Sequence, residues 1–134
     1  MNVFLDTNSM VYFHTATENA KVAAMLKIFA QNECWLSTQV IQELCNVLKR
    51  KFKTTTPDLV RVVDESKASF HIHANQASTI KLALQIADRY QFAFYDSMII
   101  AAALESGCSI LYSEDMHHEQ KIDNQLTIFN PFLL

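Results

Sequence analysis

Three carboxylates stand where an apolar run stops or an apolar helix begins, and a fourth lies one turn into a helix among apolar residues. Asp6 closes VFLD, Glu43 lies in STQVIQEL, Asp96 opens DSMIIAAA and Asp115 ends SILYSED. Val3, Phe4 and Leu5 read as a buried strand, and so does the run that stops at Ser113 and Asp115, so Asp6 and Asp115 fall at carboxyl ends of strands. In a parallel sheet, ligands bind at that edge. Each acid alone has a plainer reading: Asp6-Thr7-Asn8 is ordinary turn chemistry, Asp96 a helix cap or dipole partner, and Glu43 a solvated helix residue. Together they conflict, because gathered carboxylates repel and burying them unpaired raises their pKa values or destabilises the fold. A divalent cation resolves the conflict. Hard oxygen donors without cysteine or convincing histidine suit Mg²⁺ or Mn²⁺, and such an ion polarises a phosphodiester, activates water and stabilises the leaving oxygen.

Alternating strands and helices must bring these acids together. After the first strand, residues 18–31 carry Val22, Met25, Leu26 and Phe29 at helical spacing. CWLS, residues 34–37, reads as a strand, and TQVIQELCNVLKRKF sets Val40, Ile41, Leu44, Val47 and Leu48 on one helical face. Thr56-Pro57 reads as the capped start of a helix running to about Ala68, paired with the preceding helix as a hairpin. SFHIH is a candidate strand, ASTIKLALQIADRYQ a long helix, and FYDSMIIAAALESG a buried helix that stops at Gly107, the single glycine. CSILYSED and QLTIFN complete the strands. The pattern predicts one domain over residues 1–134, a three-layer α/β/α fold with a central, mainly parallel sheet of about four or five strands. One glycine and two prolines leave little material for hairpin turns.

Composition narrows the classes further. Half of the 134 residues are hydrophobic, enough to bury a core without staples. Cys34, Cys45 and Cys108 are isolated and odd in number, which excludes a disulfide framework or zinc ribbon and suggests buried thiols in a reducing compartment. No apolar run reaches membrane-spanning length and no signal-like leader stands at the start, so a cytoplasmic location away from membranes is expected. A formal charge of −3 requires that any nucleic-acid binding use a local basic patch.

VFLDTN, STQVIQEL, YDSMIIAAALESGC and LYSED, in this order and at these intervals, resemble the four acidic motifs of PIN-domain ribonucleases, and the resemblance spans essentially the whole chain. The compact length is similar to the VapC toxins of bacterial toxin–antitoxin pairs. The resemblance implies a PIN-like fold and makes Asp6, Glu43, Asp96 and Asp115 a catalytic cluster that binds Mg²⁺ or Mn²⁺. Asp6 and Asp96 would be direct ligands, with Glu43 and Asp115 holding a second ion or its water. Asn8 and Ser113 would support the cluster through hydrogen bonds, joined by Thr7 and Ser97. The implied activity is endonucleolytic hydrolysis of single-stranded RNA that leaves a 5′-phosphate and a 3′-hydroxyl. The implied partners are RNA, a VapB-type antitoxin and a second copy of the chain. Where many relatives carry a small residue after the last acid, this chain reads MHHEQ.

Lys49, Arg50, Lys51 and Lys53 form the dense basic patch, and Arg50 lies seven residues after Glu43, about 10 Å along the same helix. It could hold a phosphate, or simply complement the helix dipole. His71 with His73, and His117 with His118, lack a third metal ligand and read as packing or surface residues. Glu119 and Asp123 are candidate outer members of the acidic edge. Phe92, Phe94 and Tyr95 either stack bases or fill core. Tyr12, Phe13, Met25, Leu26 and Phe29 serve either the core or a protein partner. Two other functions compete: a catalytically inactive PIN-like module that binds RNA or protein, and a phosphoryl-transfer enzyme of another α/β family. The second is disfavoured because Asn8 occupies the place of the second aspartate in haloacid-dehalogenase-like phosphatases.

Overall fold

The computed structural model describes residues 1–134. Six strands and six helices follow in the order β1 (Asn2–Leu5), α1 (Thr7–Thr15), α2 (Asn19–Gln31), β2 (Glu33–Ser37), α3 (Thr38–Phe52), α4 (Thr56–Ser69), β3 (His71–His73), α5 (Ala77–Tyr90), α6 (Phe94–Glu105), β4 (Ile110–Tyr112), β5 (Lys121–Ile122) and β6 (Leu126–Phe129). They build one sheet of order β3-β2-β1-β4-β6-β5, parallel except for β5 against β6. The chain steps from β1 through β2 to β3 in one direction, then crosses back to β4 on the other side of β1. Right-handed crossovers therefore place α1 to α4 on one face and α5 with α6 on the other, and helix packing follows the same grouping. Val3, Phe4 and Leu5 of β1, Leu36 of β2 and Leu111 of β4 are fully buried, as strands covered on both faces must be.

Three local outcomes differ from the sequence reading. VFLDTN runs into a helix rather than a turn: Asp6 caps α1, its carboxylate accepting from the Ser9 backbone N–H. The cap of α4 is Thr55, one residue before the expected Thr56, with Pro57 still in the first turn. The sheet also gains β5, a two-residue edge strand too short to show alternation. Its tight connection to β6 needs left-handed backbone, which Asp123 (φ 50°) and Asn124 (φ 55°) supply in place of glycine. Gly107, with φ 72°, sits in the expected left-handed position after α6.

Candidate active site

Strand order reverses between β1 and β4, and a crevice opens there at the carboxyl ends of the strands. The cleft has a volume of about 160 Å³, and Asp6, Glu43, Asp96 and Asp115 all line it, together with Thr7, Asn8 and Ser113. β1 delivers Asp6 and the end of β4 delivers Ser113 and Asp115. α3 contributes Glu43, and the first turn of α6 contributes Asp96.

Asp6 is the most constrained acid. It is 4% exposed, and its Oδ1 accepts from the Ser9 backbone N–H at 3.2 Å and the Ser9 hydroxyl at 3.0 Å. Burial pushes its carboxyl up to about 6; nearby Ser113 and the Ser9 bonds oppose the rise, and the Asp115 charge adds to it. Asp96 is raised for the same two reasons, burial first and then the charge of Asp115. Asp115 itself is exposed and receives the side-chain amide of Asn8. Glu43 Oε1 accepts from Gln39 Nε2 at 2.8 Å, and the same amide donates to the Tyr95 carbonyl at 3.1 Å. Gln39 thus ties the α3 acid to the residue preceding Asp96.

The other residues singled out in the sequence divide. Ser113 lines the cleft and its buried hydroxyl has no well-formed hydrogen bond, though it stands near enough to Asp6 to favour the charged carboxylate. Thr7 Oγ1 is also buried at the cleft without a partner, so Ser9, and not Thr7, orients Asp6. Ser97 donates to the Ala93 carbonyl one turn back at 2.9 Å and does not line the cleft. Lys49, Arg50 and Lys51 are exposed in the last turn of α3, outside the cleft lining; Arg50 lies one turn beyond Val47, which does line it. Asp123 is committed to Arg89 and the Tyr90 hydroxyl, which removes it from the acidic edge. His71 pairs with Glu33 at 2.9 Å, His73 with Glu105 at 3.1 Å, and His118 Nδ1 accepts from the Asn130 backbone N–H. Phe94 and Tyr95 are 38% and 69% exposed and are therefore not core.

Ser9 and Gln39 escaped the sequence reading. Both had a signal: Asp-x-x-Ser is a helix-capping spacing, and Gln39 lies four residues before Glu43 on one helix face.

The PIN domain family model matches residues 3–122. The chain belongs to the PIN domain family. Solved structures of the same PIN-like fold include a toxin–antitoxin complex from Klebsiella pneumoniae, with a TM-score of 0.71 at 13% identity over 96% of this chain and 97% of that one. The VapBC complex of Rickettsia felis, bound to a promoter DNA fragment, gives 0.69 at 16% identity over 96% and 97%. A VapC toxin of Mycobacterium tuberculosis that cleaves the sarcin-ricin loop gives 0.68 at 17% identity over 84% and 89%. No curated protein matches the chain. All four cleft acids lie inside the segment matched by the PIN domain.

Two observations bear on whether this PIN domain suits a divalent cation. The polar side chains that line the cleft offer hard oxygen donors, including two buried hydroxyls with no partner in the protein. No three of its acidic side chains stand close enough to enclose an ion by themselves. Mg²⁺ fits such a site, since it keeps several waters and takes only one or two carboxylates from the protein.

Proposed function

We propose that this PIN domain is a Mg²⁺- or Mn²⁺-dependent endoribonuclease that hydrolyses single-stranded RNA. In this reading residues 1–134 form one domain, the toxin of a toxin–antitoxin pair, acting in the cytoplasm as a homodimer under control of a VapB-type antitoxin. The observation that carries the proposal is the convergence of four acids, two with raised pKa values, on one cleft at the switch point of a parallel sheet. No helix is long and apolar enough to cross a membrane.

A bound cation supplies Lewis-acid charge that lowers the pKa of the attacking water and stabilises the leaving oxygen. Asp6 and Asp96 are its proposed direct ligands. Glu43 and Asp115 would hold a second ion or its water. Ser9 fixes the rotamer of Asp6, and Gln39 sets Glu43 against the start of α6. Ser113 and Thr7 keep free hydroxyls beside the reacting centre for water or a phosphate oxygen. Arg50, beyond Val47 on α3, is positioned to take a neighbouring phosphate of the RNA backbone.

The test is incubation of purified protein with single-stranded RNA, with and without Mn²⁺, beside Asp6→Asn and Asp96→Asn. Cation-dependent cleavage lost in both variants supports the proposal, and full cleavage by either one sinks its ligand assignment. RNA that is bound but never cut establishes the binding-module alternative. A small reading frame next to this one, encoding a DNA-binding protein with a basic end, would support the toxin assignment.

A further inference from the structure

Asp115 differs from the other cleft acids in what holds it. Asp6 follows a core strand, and Glu43 and Asp96 ride on helices. Asp115 lies in an irregular segment in which no backbone N–H from Glu114 to His118 donates to a backbone carbonyl. Side chains must fix it, and α1 supplies two from one face. Asn8 donates to Asp115, and Tyr12, one turn on, donates its hydroxyl to Glu114 Oε1 at 2.9 Å. Lys21, in the first turn of α2, reaches the other Glu114 oxygen at 2.7 Å and the Tyr12 hydroxyl at 2.9 Å. Its ammonium also lies 4.1 Å from the Tyr12 ring centre and 5.0 Å from that of Phe132. The Lys21 and Glu114 side chains are only 24% and 26% exposed, so the pair is shielded from solvent more than an ordinary surface ion pair.

We infer that Lys21, Tyr12 and Glu114 form a clamp that positions Asp115 for cation binding, an inference that rests on the metal-dependent reading above. α1 grips two adjacent acids with Asn8 and Tyr12, and Lys21 locks the second grip from α2. Lys21 and Tyr12 touch neither substrate nor ion; they are positioning residues that act through the Glu114-Asp115 backbone.

A sign separates this from simple electrostatics. Lys21→Met leaves Glu114 uncompensated beside an acidic cleft, and charge alone would then tighten Mn²⁺ binding. Loss of position weakens it. Tyr12→Phe changes no charge and keeps the ring against Phe132 and Lys21.

The experiment is calorimetric titration of Mn²⁺ into the full chain, with amide hydrogen exchange on the metal-free protein. Lys21→Met and Tyr12→Phe are each expected to weaken Mn²⁺ binding about tenfold and to speed exchange of the Glu119 and Gln120 amides, whose hydrogen bonds close this segment, while Lys21→Arg stays near wild type. In an Asp115→Asn background, Tyr12→Phe should cost nothing further, because coupled residues do not act additively. Lys21→Met binding Mn²⁺ as tightly as wild type or tighter overturns the clamp and leaves the metal reading standing. So does a Tyr12→Phe loss that is undiminished without the Asp115 carboxylate. Wild-type protein that binds no Mn²⁺ overturns both. Should Lys21→Met fail to fold, Tyr12→Phe decides alone.

Discussion

The two ends of the sheet carry two cavities of opposite character. At the carboxyl edge the acidic cleft holds about 160 Å³; at the amino edge, where β2 and β3 begin, a larger cavity of about 470 Å³ opens between the ends of α1, α2 and α4. The larger one has aromatic walls, with Phe29 packed edge-to-face on Phe13 and Phe70 at centroid distances of 5.0 and 5.2 Å. No buried polar atom lining it lacks a partner, and its His71 is already bonded to Glu33. The smaller cleft keeps two buried hydroxyls unsatisfied and two carboxyls raised by burial. Size therefore does not mark the chemistry here. Polarity that the fold leaves unbalanced does, because burying it costs stability that only a ligand returns.

Cleavage assays sharpen this contrast most. Asp6→Asn and Asp96→Asn should each lower kcat/KM for RNA by about 100-fold or more, while His14→Ala in the amino-edge cavity should change it less than about twofold. Comparable losses at both ends would break the comparison.

Stability against pH gives the next largest effect. The Asp6 carboxyl titrates at 3.8 when unfolded and at about 6 when folded. Between those values only the folded chain holds the proton. The Asp6 contribution to metal-free stability is therefore fullest below pH 3.8 and falls as pH rises through about 6, by about 3 kcal/mol in all. Urea titrations of metal-free Asp6→Asn at pH 8 should show a gain of about that size, and the gain should vanish near pH 4. Mn²⁺ should stabilise wild type far more than this variant.

Gln39→Ala should reduce cleavage about tenfold by freeing Glu43 from the start of α6, an effect of the size seen for groups that orient metal ligands. The smallest effect belongs to the amino edge and has the opposite sign. Burial lowers the pKa of His14 from its ordinary 6.5, with Glu65 opposing. The unfolded chain then takes the proton first, so stability is present above pH 6.5 and is lost on acidification. His14→Gln should remove that loss in urea titrations below pH 6, leaving the Asp6 response intact.

Much of this was legible in the chain because period and punctuation are local. TQVIQELCNVLKRKF predicts α3 residue for residue, and Gly107 marks the end of α6. β5 was not legible, since two residues carry no alternation and the turn that makes it uses Asp123 and Asn124. Nor was α1, because Asp-Thr-Asn caps a helix with the same side chains that make a turn. Asp123 illustrates the limit at the site: as a sequence feature it is one more acid near the last motif, yet Arg89 and Tyr90, more than thirty residues earlier, claim it.

The sequence by itself determined that this is a PIN-like α/β chain, and it singled out the four acids that line the cleft. Asp6, Asp96 and Asp115 sit at or just beyond element ends, which are set by near neighbours, and Glu43 falls within α3, whose helical period is equally local. Which side chains hold those acids was decided only by the tertiary structure. Gln39 spans from Glu43 to the Tyr95 carbonyl, Asn8 reaches Asp115 and Lys21 reaches Glu114, the last two across more than ninety residues. Hydrogen bonds need atoms brought to within about 3 Å, and for residues remote in sequence only the packed sheet and its crossovers bring them there.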